Sequence, residues 1–137
     1  MDVYTLKFYK RASDFLAELD REIADLENST RALGAEVEQL KSAADKYMKI
    51  QNLVKKFGGG ETEHPPVEVT GLGIYIEPSP STKYNIYVQS YSHMLDLLSV
   101  LKKVREVAGA VIKEGDLSEA PVAVQFKQGV PVKLIIL

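Results

Sequence analysis

The sequence predicts an α+β fold, on three observations. A heptad pattern runs through residues 12–54 without a proline, segments rich in aromatic and β-branched residues flank it, and a second helical stripe lies around residue 100. The length of 137 residues suits a single domain. The expected order is strand, long helix, strand, strand, helix, strand, strand. A coiled-coil rod at 13–57 is expected to project from a mostly antiparallel α+β head formed by 3–9 and 67–137.

Val3–Tyr9 is rich in aromatic and β-branched residues and reads as the first strand. The rod follows. With Ala12, Leu19, Leu26, Leu33, Leu40, Tyr47 and Val54 as one seam position, the other falls on Leu16, Ile23, Thr30, Val37, Ala44 and Gln51. The spacing alternates four and three without a slip, which is the coiled-coil signal. Ser13 is the expected N-cap and Gly58-Gly59-Gly60 the expected stop. A bend at Asn28-Ser29-Thr30 or at Gly34 would turn the same segment into a helical hairpin. One glycine costs a helix only about 1 kcal/mol, however, and a hairpin loop would usually reset the phase.

Glu61–Pro66 reads as a linker and Val67–Ile76 as a second strand, whose Gly71 and Gly73 hint at a bulge or a close backbone approach. Glu77–Ser81 reads as a turn, residues 83–91 as a third strand, and Ser92–Lys113 as a helix covering the sheet, with Gly115 near its C-cap. Pro121–Lys127 and Val130–Leu137 form a terminal hairpin closed at Gln128-Gly129. Leu134-Ile135-Ile136-Leu137 puts large apolar groups on both faces of the last strand, so both faces need cover.

The net charge of −2 conceals a strong pattern. Residues 13–38 carry eight acids and two bases, whereas residues 39–57 carry five lysines and one acid. A parallel pair of such helices would set like charges side by side, and an antiparallel pair sets acid against base. The chain is therefore expected to associate with itself as an antiparallel homodimer, or a tetramer built from one. Leu16, Leu19, Ile23, Leu26, Leu33, Val37, Leu40, Tyr47 and Val54 would form the seam. In such a dimer strand 3–9 would reach the partner's head and exchange into its sheet.

Catalytic chemistry is sparsely represented. Cysteine is absent, which removes thiol nucleophiles and cysteine metal sites. His64 and His93 have no partner at metal-ligand spacing, and no serine sits in a Gly-x-Ser-x-Gly context. No catalytic residue, metal or cofactor is expected. Tyr75, Tyr84, Tyr87 and Tyr91 would cluster on adjacent strands, and a sheet bearing aromatics can stack bases. A nucleic-acid-binding or chromosome-partition accessory protein is thus the alternative, although basic residues are not interleaved with these tyrosines. The chain has no apolar run of about 18 residues and its N-terminus lacks a signal-peptide layout, so a cytoplasmic location with no membrane contact is expected.

The cysteine-free chain with its heptad rod from Leu16 to Val54 and a head ending in Pro121-Val-Ala-Val-Gln-Phe-Lys-Gln-Gly-Val-Pro-Val-Lys-Leu resembles the arcadins. These are small accessory proteins encoded beside the archaeal actin-like protein crenactin. The resemblance implies a non-enzymatic, cytoskeleton-associated protein that binds an actin-like filament or its accessory proteins. It carries over no functional residue.

Overall fold

The fold, a computed structural model describing residues 2–60 and 63–137, is α+β with two helices and two antiparallel sheets. The elements are β1 (Tyr4–Tyr9), α1 (Ala12–Lys56), β2 (Val67–Val69), β3 (Leu72–Ile74), α2 (Pro80–Glu114), β4 (Val122–Lys127) and β5 (Val130–Ile136). The chain divides into two compact units. One comprises the residues up to Ser29 together with Met94–Leu137, and the other is Thr30–His93. Helices α1 and α2 contribute residues to both.

In the first unit β4 lies between β1 and β5, antiparallel to each. The β4–β5 hairpin turns through Gln128 and Gly129, whose φ values of 51° and 82° are those of a type I′ turn. Register places Val122 and Val124 beside Tyr9 and Lys7 on one face, with Leu134 and Ile136 across from them on β5. Val122 and Val124 are fully buried, because Phe15, Leu19, Leu101, Ala108 and Ile112 of the two helices pack on that face. Helix α1 enters this core without a side-chain cap from Ser13. The Ala12 N–H donates to the Ala120 carbonyl at 2.8 Å and the Ser13 N–H to the Ser118 carbonyl at 3.0 Å, so the loop after α2 satisfies its first donors.

The two helices run antiparallel here. Arg105 of α2 makes a forked contact with Asp20 of α1 (Nε to Oδ1 2.6 Å, Nη2 to Oδ2 3.3 Å), and Lys102 Nζ lies 3.6 Å from Glu27 Oε1. Helix α2 stops at Asp116, which takes the left-handed conformation (φ 54°). The Leu117 N–H donates back to the Ile112 carbonyl at 2.9 Å, and the Leu117 side chain packs on the core.

The second unit pairs the remainder of α1 with the start of α2 and carries the β2–β3 hairpin. Thr30, Val37 and Ala44 are buried along α1, and Gly34 faces the Tyr91 ring of α2. A Cβ at Gly34 would sit 3.0 Å from Tyr91 Cε2 and 3.2 Å from its hydroxyl, so glycine leaves room for the ring instead of bending the helix. Helix α1 ends in a Schellman motif. Gly58 is left-handed (φ 85°), the Gly59 N–H reaches the Val54 carbonyl at 2.8 Å, and the Gly58 N–H reaches that of Lys55 at 3.1 Å. Helix α2 begins with Ser79 as N-cap, its Oγ accepting from the Thr82 N–H at 3.2 Å, and Pro80 at the first helical position. Glu63 completes the cap. Its carboxylate accepts from the Ser79 N–H at 2.8 Å and from the Thr82 hydroxyl at 3.2 Å, and these bonds hold it below the usual carboxylate range.

Four expectations are corrected by this arrangement. Residues 83–91 are helical, the first third of α2, so Tyr84, Tyr87 and Tyr91 share a helix face and form no aromatic sheet. The segment 67–76 is a two-residue-turn hairpin and not one strand: Thr70 and Gly71 are both left-handed (φ 52° and 84°) and reverse the chain. Strand β1 pairs with β4 of its own chain, so no exchange with a partner's sheet is required.

The heptad seam is the fourth. Leu19, Ile23 and Val37 are buried, and Leu16, Leu26, Leu33, Leu40 and Tyr47 are half-buried, all within one chain, while Val54 is exposed. In each unit the covering element is α2. In the first unit the bases that face the acidic stretch of α1 are Lys102 and Arg105 of the same molecule. The buried and half-buried seam residues therefore pack within the fold, while Val54 stays exposed.

Candidate functional site

The three-stranded sheet has two faces of opposite character. Residues of β1 alternate, so Lys7 and Tyr9 share the helix side with Val124 and Val122, whereas Tyr4, Leu6 and Phe8 point the other way beside Gln125, Ala123 and Ile135. On that second face Tyr4, Leu6, Phe8 and Ile135 are exposed, Phe8 at 67%, although Ala123 between them is buried. Both outer strands also have open edges. The Leu137 N–H donates to the Pro121 carbonyl on β4, which sets the hydrogen-bonded positions of β5 at the odd numbers. Leu134 and Ile136 consequently turn their N–H and C=O groups away from β4, toward solvent.

Next to this edge lies an apolar groove of about 480 Å³. Its helix wall is Val104, Val107, Ala108 and Val111 of α2, with Phe15 at the bottom. Its strand wall is Val132, Leu134 and Ile136 of β5. Val107, Val111, Val132 and Ile136 are exposed although apolar. Lys103, whose Nζ lies 3.6 Å from Glu106 Oε2, borders the groove on its helix side. The β4–β5 register shifts between Gln125 and Phe126, which leaves Val132 as an extra residue on β5 and locally twists the edge. An open strand edge flanked by an apolar trough is what a strand-adding ligand requires: main-chain groups to pair with and a place for alternate side chains.

On the helix side of β1, a charged cluster braces the sheet against α1. The Glu18 carboxylate accepts hydrogen bonds from Lys7 Nζ and Tyr9 Oη. Burial pushes Glu18 up, but these two bonds and the Lys7 charge outweigh it and hold the carboxyl below its ordinary value. Burial first, then the bond to Glu18 and the charges of Glu18 and Glu22, raise the Tyr9 phenol. Burial and the Glu18 charge raise Glu22. A carboxyl depressed in the folded state contributes stability above its unfolded pKa, and loses it as the pH falls through the folded value. Glu18→Gln is therefore expected to cost about 1 kcal/mol at pH 7, reduced from a full charged bond by its partial exposure. In urea titrations the difference from the unsubstituted chain should shrink as the pH drops below 4.5, the ordinary glutamate value. A cost independent of pH would remove Glu18 from this role.

Reactive groups do not converge. His64 lies in the segment before β2 and His93 on an exposed position of α2, and among the described residues no group of three His, Cys, Asp or Glu side chains could hold a metal ion. Ser90 and Ser92 are exposed on α2. A smaller cavity of about 230 Å³ in the second unit, bordered by Ala44, Met48, Ser81 and Tyr84, contains no acid–base pair beyond the single carboxylate of Asp45. No described helix is long and apolar enough to cross a membrane.

The sequence pointed to the terminal strand through its two apolar faces, but not to the groove. The groove needs Val107 and Val111 to face β5, and their helical spacing reads as a wider core stripe when no sheet edge is in view. Compared with protein-family models, curated proteins and solved structures, the chain matches none.

Proposed function

We propose that this chain is a non-enzymatic interaction protein that takes up an extended segment of a partner protein along the edge of β5. The open edge at Leu134 and Ile136, lying directly beside the apolar groove, carries this reading. Added as a fourth strand, the segment would pair with the outward main-chain groups of β5, and every second side chain would enter the trough between β5 and α2. Lys103 at the helix side of the groove favours a ligand with an acidic residue flanking its apolar ones. Read with the resemblance to the arcadins, the segment belongs to an actin-like filament subunit or to another accessory protein in the cytoplasm.

A fluorescent octapeptide alternating valine or isoleucine with glutamate tests the chemistry, and co-sedimentation with an actin-like filament tests the source. The expected result is saturable anisotropy binding that weakens at least about tenfold in Leu134→Pro, since proline removes the outward N–H while the bonds of β5 to β4 remain. Val107→Asp should weaken it further by placing a charge in the trough. Absence of peptide binding, or binding indifferent to both substitutions, would contradict the reading.

A further inference from the structure

The two halves of β5 are guarded differently. Pro131 has no N–H to offer, and the register shift leaves Val132 as an extra residue, so the first half is blunted against a further strand. The second half is bare. Leu134 and Ile136 turn their main-chain groups outward, Ile135, Ile136 and Leu137 are exposed, and Lys133 is the one charged residue between Val132 and Leu137. This half also has the chemistry that its own edge selects. Leu134 and Ile136 are apolar residues at alternate positions, and their N–H and C=O groups are the ones left unpaired by β4.

We infer that β5 of one copy of this chain pairs antiparallel with β5 of a second copy, about a two-fold axis at Ile135, and closes the edge until a partner segment displaces it. The inference rests on the β5 edge being the partner's site and adds what regulates it. Hydrogen-bond register fixes the axis. With Ile135 opposite itself, Leu134 faces Ile136 of the second copy and Ile136 faces Leu134, so every outward N–H and C=O of these residues finds its mate. An axis at Leu134 would set Ile136 against the bulged Val132, where the ladder is broken. At the chosen axis Lys133 faces Leu137, and like charges are not opposed. The two three-stranded sheets become one, and their troughs, with Val107 and Val111 on the helix walls, face each other across the join. Such a contact is isologous and ends at two chains, whereas β5 added to the β1 edge of another copy would propagate head to tail. Beside β1 there is no apolar trough; the Lys7–Glu18 ion pair stands there instead.

The chain has no cysteine, so introduced thiols read the register directly. A non-hydrogen-bonded antiparallel pair stands about 4.5 Å apart at Cα, within the roughly 4.4–6.8 Å that a disulfide spans. Ile135→Cys should therefore cross-link to itself under diamide. Leu134→Cys and Ile136→Cys should each stay monomeric on non-reducing gels and join when mixed. Sedimentation equilibrium over about 1–100 µM should show the unsubstituted chain as a dimer, which an excess of the valine–glutamate octapeptide converts to monomer. Ile135→Lys opposes lysine to lysine on the axis and should raise the dimer dissociation constant at least about tenfold. The octapeptide should bind this variant more tightly than the unsubstituted chain, because no second copy competes for the edge. Far-ultraviolet circular dichroism shows that each variant is folded.

A monomeric unsubstituted chain would overturn the inference, and one that still takes the octapeptide would leave the partner's use of the edge standing without it. Assemblies larger than a dimer, or a dimer whose Ile135→Cys variant forms no disulfide, would overturn it equally. A dimer that cross-links at residue 135, with an Ile135→Lys monomer that takes no octapeptide, would uphold the self-pairing and overturn both the partner's use of the edge and its displacement of the second copy.

Discussion

Replacing Leu19 with alanine will lower the unfolding free energy by about 3–4 kcal/mol, whereas Val54→Ala will change it by less than about 0.5 kcal/mol. Both residues occupy the same heptad position of α1. They differ in cover: Leu19 is 2% exposed within the core formed with α2 and the sheet, and Val54 is 39% exposed. Deleting the Leu19 isobutyl group removes its transfer free energy and leaves a cavity that Phe15, Leu101 and Val122 cannot collapse to fill. At Val54 solvent already reaches the side chain. A seam buried against a second copy along its whole length would make the two costs similar. Urea denaturation of the two variants at one low concentration gives the ratio, and comparable costs would mean that α2 is not what covers α1.

Gly34→Leu is expected to cost about 1–3 kcal/mol by overpacking. The Tyr91 ring already stands 3.0 Å from where a Cβ would be, so a leucine must displace the ring, the helix or both. Gly34→Ala should come out near neutral, because its gain of about 1 kcal/mol in helix propensity is offset by the tight contact. Tyr91→Ala in the leucine background should restore most of the loss, since it vacates the space the leucine needs. Thermal and urea unfolding followed by circular dichroism measure all three variants. A harmless Gly34→Leu, or a double variant no better than the single, would contradict the packing of α1 on α2 in the second unit.

These residues also show what was legible in the sequence. The long helix could be read because its stripe is strict and its stop, Gly58-Gly59-Gly60, is abrupt. The terminal hairpin could be read from Gln128-Gly129 between two alternating runs. The start of α2 could not, because Tyr84, Ile86 and Val88 favour strands by their intrinsic preference and also satisfy a period of two. Burial decided otherwise. Tyr84, Tyr87, Tyr91, Met94, Leu98, Leu101, Ala108 and Ile112 fall on one helix face, and tertiary packing overrides a weak local bias.

One local signal was present: Ser79-Pro80 is an N-cap followed by proline at the first helical position, but the nearby Pro78 makes the stretch read as a turn. The length of α2 decides what covers α1. With α2 short, the rod has no cover in its own chain and must find it in another. With α2 at 35 residues, the cover is at hand. The candidate groove was illegible for a related reason: it is defined by what is left uncovered, and periodicity reports which residues form a stripe without saying which stripe stays bare.

Helix α1 is covered by α2 of its own molecule, and chain-selective cross-linking distinguishes this from cover by a second chain. The chain has no cysteine, so Asp20→Cys and Arg105→Cys place unique thiols at two positions whose native side chains meet at 2.6 Å. A short bis-maleimide should join them within single molecules of the double variant, giving a faster-migrating monomer at all concentrations, and should give no 20-to-105 product when the two single variants are mixed. Efficient joining of the mixed single variants, with little internal product in the double variant, would show that the cover comes from another chain.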